Sequence, residues 1–186
     1  MSPEIQQALI GLGGSIVGAL IGSGLISYHL GIRKERVEAD RKTYINIKKL
    51  FTNNDLTYLK DANFYNGVPQ RIVDNIFHIE QLNDNPNLYI FYNKKLNSAA
   101  RQLHKVAEEL AGDIVSRTTP EGDIDNLICT TRTADSRKSE VARKANQNES
   151  DELIEISRKF YDAALKLDSI ALKELRLSVA DLPGSS

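Results

Sequence analysis

The sequence predicts an all-α protein: a single N-terminal transmembrane helix followed by a cytosolic bundle of four to five helices. Three observations predict it. From Ile5 to Ile32, 28 consecutive residues include no Asp, Glu, Lys or Arg. After that run, apolar residues recur at three- and four-residue spacings over long segments. No segment alternates with the period of two that marks a half-buried strand.

The uncharged run comes first. Ala8 to Ile26 reads ALIGLGGSIVGALIGSGLI, and about 20 apolar residues suffice to cross a hydrocarbon core about 30 Å thick. In lipid every backbone polar group must pair within the segment, so a lone span is a helix. A cleaved signal peptide would need a basic stretch before the run and a small-residue cleavage site after it. Here MSPEIQQ precedes it, with Glu4 and no Lys or Arg, and Arg33-Lys34-Glu35-Arg36 follows, so a retained anchor over 1–32 is expected.

Charge orients that anchor. Residues 33–60 carry eight basic residues, among them Arg33, Lys34, Arg36, Arg41 and Lys42, against four acidic ones, a net +4. The positive-inside rule places this side in the cytoplasm and the N-terminus outside, and the basic collar suits anionic headgroups. One cysteine, Cys129, excludes an internal disulfide framework and fits a reducing cytosol. A formal net charge of −1 excludes a generally basic nucleic-acid binder.

Within the run, Gly14, Gly18 and Gly22 form a Gly-x-x-x-Gly-x-x-x-Gly repeat. Gly11, Gly14, Ser15, Gly18 and Gly22 share one helical face, and His29 continues it at the cytoplasmic end. Lipid tails are as apolar as leucine, so membrane helices associate by close backbone packing across small residues. The face therefore predicts self-association. With one span per chain, a pore would need several copies, and His29 would then ring its mouth.

The cytosolic body, 33–182, follows. Val37, Tyr44, Ile47 and Phe51 mark a helix from Arg33 to Phe51, and Asp55 to Tyr65 is a short helix or connection. Pro69 suits the first turn of a helix reaching Leu82, and Asn83-Asp84-Asn85-Pro86 is a turn. A long helix from about Pro86 to Val115 is marked by Leu88, Phe91, Tyr92, Leu96, Leu103, Val106 and Leu110. Residues 117–150 read as a long loop, in which Arg132, Arg137, Lys138, Arg143 and Lys144 are candidate ligand residues for RNA or a nucleotide. Ser150 is expected to cap a last helix to Ala180, and 183–186 to form a disordered tail.

Catalytic signals are sparse. There is no phosphate-binding glycine loop, no His-Glu-x-x-His, no cysteine pair and no Ser-His-Asp set among three histidines, so no metal or cofactor is expected. Arg71 and His78, in RIVDNIFH, are the candidate catalytic pair: seven residues apart, they share one face of a helix. An arginine can hold a phosphate while a histidine moves a proton, as cleavage of RNA through its 2′-hydroxyl requires.

This Arg-x6-His in an all-helical domain resembles the HEPN (higher eukaryotes and prokaryotes nucleotide-binding) superfamily, whose ribonucleases bring such motifs from two protomers to a dimer interface. Ile72 stands where that family usually has a polar residue. The whole layout of glycine-rich anchor, basic collar and HEPN-like body resembles the membrane-bound accessory proteins of type VI-B CRISPR systems, which accompany an RNA-guided RNase. That resemblance implies a homo-oligomeric, pore-forming protein of the bacterial inner membrane that strengthens antiphage defence. Its partners would be copies of itself, membrane lipids, and an RNA-guided RNase, RNA or a nucleotide signal. A membrane-tethered HEPN ribonuclease and a non-catalytic membrane adaptor are the alternatives.

Overall fold

The computed structural model describes residues 28–81, 90–123 and 126–178, and the chain is mostly helical, as expected. It divides into two compact units, Met1–Ala39 and Asp40–Ser186. The first unit is described over residues 28–39, which are helical. The expected membrane span, with Gly11, Gly14, Ser15, Gly18 and Gly22, lies outside the described residues. So do the turn at 83–86 and the tail at 183–186. Among the described residues no helix is long and apolar enough to cross a membrane.

In the second unit, helix α1 (helical over 28–50 as a whole) contributes residues 40–50. Thr52 then starts α2 (Asn53–Lys60) with a reciprocal cap: its Oγ1 accepts from the Asp55 amide, and the Asp55 carboxylate accepts from the Thr52 amide. A two-residue strand β1 (Val68–Pro69) leads into α3 (Gln70–Gln81). Helix α4 (Lys94–Arg117) begins later than expected, because Asn93 caps it with its side-chain oxygen and Tyr92 stays outside it, 61% exposed. The Asp40 carboxylate, itself buried, accepts from the Tyr92 and Asn93 amides at 2.7 and 3.0 Å and so anchors that helix entrance.

The stretch 117–150 is not a loop, which corrects the sequence expectation. It contains β2 (Thr119–Glu121), β3 (Ile128–Thr130), a 3₁₀ turn at Asp135–Arg137 and the opening of α5 (Glu140–Leu175). The strands form a small antiparallel sheet in the order β1-β3-β2, pairing Val68 with Cys129 and Pro120 with Cys129, whereas no strand was expected. Pro69 sits on an edge strand, where its missing N–H costs no ladder bond. Gly67 enters the sheet at φ +100°, and a Cβ there would lie 2.3 Å from Ile128 Cδ1, so no other residue fits without a shift.

Helix α5 starts at Ser139, not Ser150. Ser139 supplies the N-cap, and Ser150 is buried mid-helix with its hydroxyl accepting from the Tyr65 amide at 3.0 Å. Its first three turns are held by polar contacts such as Thr131 Oγ1 donating to the Asn146 carbonyl at 2.8 Å. The helix ends at Arg176, in the left-handed conformation with φ 53°. Helices α4 and α5 run antiparallel, as the pairs Lys95–Glu174, Glu109–Lys159 and Arg117–Glu152 show. The core between helices holds Tyr44, Phe51, Leu59, Ile76, Leu96, Leu103, Leu110, Leu153, Phe160 and Leu167. Burying each such side chain favours folding by about 1.5–3 kcal/mol.

Candidate functional site

Arg71 lies in the first turn of α3 and reaches α2, not His78. Its Nη2 donates to Asp55 Oδ1 at 2.6 Å and its Nη1 to Oδ2 at 3.3 Å. The same carboxylate accepts from the Thr52 amide at 3.0 Å and from Thr52 Oγ1 at 2.8 Å. The Arg71 guanidinium, with the Thr52 donors, holds the Asp55 carboxyl below the usual carboxylate range, and Asp55 in turn raises Arg71. Asp55 is buried while the Arg71 side chain is 65% exposed, so one face of the guanidinium meets solvent.

His78 is exposed two turns further along α3, about 10 Å along the helix axis. Its Nδ1 lies 2.9 Å from the Asp74 carbonyl, one turn back on its own helix. A carbonyl only accepts, so Nδ1 carries the hydrogen and Nε2 is the basic nitrogen of the neutral ring. Within one chain the two residues therefore do separate jobs. Arg71 with Asp55 fastens α2 to α3, and His78 carries a proton-accepting nitrogen at the surface.

The other residues singled out in the sequence are dispersed. His29, in the first unit, is exposed and packs its ring edge-on to Tyr28, with centroids 6.1 Å apart. Arg33, Lys34 and Arg36 of that unit are exposed. In the second unit Lys42 is exposed, but Arg41 caps α5: its Nε and Nη2 donate to the Leu175 carbonyl at 3.1 and 2.8 Å. That places a cation at the negative end of the helix dipole.

The candidate ligand residues of 117–150 are partly neutralised. Glu121 accepts from Arg132 at 3.1 Å and from Arg137, and Arg132 foremost lowers its pKa. Arg143 stands 3.7 Å from Glu140, one turn away. Lys138 and Lys144 are exposed. His104 is half-buried, its Nε2 2.7 Å from the Glu80 carbonyl.

A buried polar cluster escaped the sequence reading. Lys48, 4% exposed, places Nζ 2.5 Å from Asp168 Oδ2 and 3.0 Å from Asn53 Oδ1. Tyr44 donates to Asp168 Oδ1 at 2.9 Å. Burial, then the charge of Asp168, pushes the Tyr44 hydroxyl far above its ordinary range. Beside the cluster lies a mainly apolar cavity of about 20 Å³, lined by Phe51, Leu56, Phe160 and Leu167 among others, with room for about one water. Tyr44 and Lys48 are spaced as helix neighbours, the one local signal available; their partner Asp168 lies 120 residues beyond Lys48. The cluster joins α1 to α5.

Cys129 is buried, and its thiol donates to Gln70 Oε1 at 2.9 Å. Desolvation raises its pKa, which disfavours the reactive thiolate. Among the described residues no three His, Cys, Asp or Glu side chains gather closely enough to hold a metal ion. No protein-family model, curated protein or solved structure matches the chain.

Proposed function

We propose that the chain is a homo-oligomeric membrane effector, anchored once in a bacterial inner membrane with its HEPN-like helical body in the cytoplasm. Copies pack through the glycine face, and an infection signal sensed by the body opens a pore that permeabilises the membrane in CRISPR-linked antiphage defence. The observation that carries this reading is the 28-residue uncharged run Ile5–Ile32, with its Gly14-Gly18-Gly22 repeat, followed by a net +4 over residues 33–60. Tyr28 and Leu30 support it: 65% and 60% exposed, they lie where an interfacial belt of such a span would fall.

The ribonuclease alternative is disfavoured by one contact. A phosphate-holding Arg71 would first have to leave Asp55, whose carboxylate is buried and would lose its only guanidinium partner among the described residues. The test is particle size in mild detergent. Gly18→Leu adds four carbons where two backbones should nearly touch, so it should still insert yet fail to assemble. Val17→Leu, on the opposite face, should assemble like the parent. If Gly18→Leu particles keep the parental size, the glycine face is not a packing surface.

A further inference from the structure

We propose that the outer face of α4 is a binding groove for single-stranded nucleic acid, with Lys94, Arg101 and Lys105 on the phosphates and Tyr92 stacking on a base. Residues 85–107 contain four Lys and Arg and no Asp or Glu. One of the four, Lys95, is taken by Glu174 at 2.7 Å. The other three are exposed, and among the described residues none of them pairs with a carboxylate. They stand one above another on the helix at positions i, i+7 and i+11. With Asn97, Ser98 and Gln102 they line a shallow groove that contains no carboxylate.

This placement does nothing for the helix itself. Cations are stabilising near a helix C-terminus and anions near its N-terminus. Helix α4 mostly does the reverse: four of its five Lys and Arg occupy the first half, with only Arg117 in the last turn. No acid lies in its first turn, and Glu108, Glu109 and Asp113 come in the second half. Charges set against the dipole call for a partner that gains from them, and a polyanion is that partner. The helix entrance is not the site, because Asp40 already occupies the Tyr92 and Asn93 amides.

The chemistry of the lining selects among polyanions. Phosphate backbones are held by Lys, Arg, Ser, Asn and Gln side chains, the residue types present here. A lipid surface would call for apolar side chains beside the cations, and none of the six lining residues is apolar. Arg101 and Lys105 are separated by about 6 Å along the axis, the scale of successive phosphates in a single strand. Two residues before Lys94, Tyr92 is 61% exposed, with its backbone amide held by Asp40. Aromatic stacking together with a cationic groove is how single strands are bound without sequence preference.

The test uses the full chain in neutral maltoside micelles and a fluorescent 12-nucleotide oligouridylate, read by anisotropy. Binding should weaken with salt at a log–log slope of about −2, as three phosphate contacts on a single strand imply. Arg101→Glu with Lys105→Glu should weaken binding at least tenfold, Arg101→Gln with Lys105→Gln several-fold, and Tyr92→Ala several-fold, with unchanged far-ultraviolet circular dichroism. Lys49→Glu, exposed on α1, should leave it unchanged. Three results would each overturn the proposal: no binding at 50 mM salt, binding indifferent to both double variants, or a response of Arg101 and Lys105 only to phosphatidylglycerol in mixed micelles. A change of particle size in the double variants, without strand binding by the parent, would assign the face to contacts between copies and overturn it as well.

Discussion

Replacing Lys48 by methionine removes the charge but keeps most of the side chain's length in the core between α1 and α5. Asp168 then loses a cation 2.5 Å away and keeps only the Tyr44 hydroxyl at 2.9 Å. Removing one partner of a buried ion pair costs about 3–5 kcal/mol, because an uncompensated charge is left behind. Asp168 is 17% exposed, so solvent recovers part of that and the lower end applies, about 3 kcal/mol. For a domain of this size each kcal/mol moves Tm by about 2–4 °C, so the midpoint should fall by about 6–12 °C. The assay is thermal unfolding in mild detergent followed at 222 nm. Tyr44→Phe/Lys48→Met/Asp168→Leu should regain most of the loss, since an apolar set of similar volume needs no counter-charge. The sign with pH also follows: the folded-state value of Tyr44 is raised, so its contribution is intact below pH 10 and is lost as pH rises beyond it. Tyr44→Phe should flatten that alkaline decline. A Tm for Lys48→Met within about 1 °C of the parent, or a triple variant no better than the single one, would refute this account of the cluster.

The remaining expectations concern the caps, topology and chemistry. Asp55→Asn should destabilise the body by about 2 kcal/mol, combining a weakened cap with lost charged hydrogen bonds. Because the folded pKa of Asp55 is lowered, its stabilisation is present above the usual carboxylate range and lost as pH falls below it, so this variant should also show a shallower acid transition. A fluorescent protein that matures only in the cytoplasm, fused after Ala180, should be bright. A dark fusion beside an active periplasmic reporter would reverse the topology. Purified protein should leave RNA uncut. If it cuts, and Arg71→Ala with His78→Ala stops it, the tethered-ribonuclease reading takes over.

Helix positions were legible in the sequence because an apolar stripe is a local signal. Leu96, Leu103, Val106 and Leu110 on α4, and Leu153, Ile156, Phe160 and Leu167 on α5, face the core as their spacing implies. Boundaries failed where polar contacts replace that stripe. The first turns of α5 carry almost no apolar residues and are held through Asn146 and Ser150, so Ser150 resembled a cap when it is a buried anchor for Tyr65. The sheet has strands of two and three residues, too short for a period of two to emerge, and only the patch around Ile128 and Cys129 hinted at it. Arg71 and His78 share a helix face as expected, but Asp55, sixteen residues before Arg71, decides where that guanidinium goes. Lys48 with Asp168 joins sites too far apart in sequence for any spacing rule to connect.

The central claim is that copies of this chain, packed through the glycine face, open the membrane. The most direct measurement is membrane potential in bacteria carrying the full chain beside an RNA-guided RNase programmed against an infecting phage. Cells with the parent protein, or with Val17→Leu, should depolarise during infection, and cells with Gly18→Leu should stay polarised although the protein reaches the membrane. Depolarisation by Gly18→Leu equal to the parent, or none by the parent, would contradict the account.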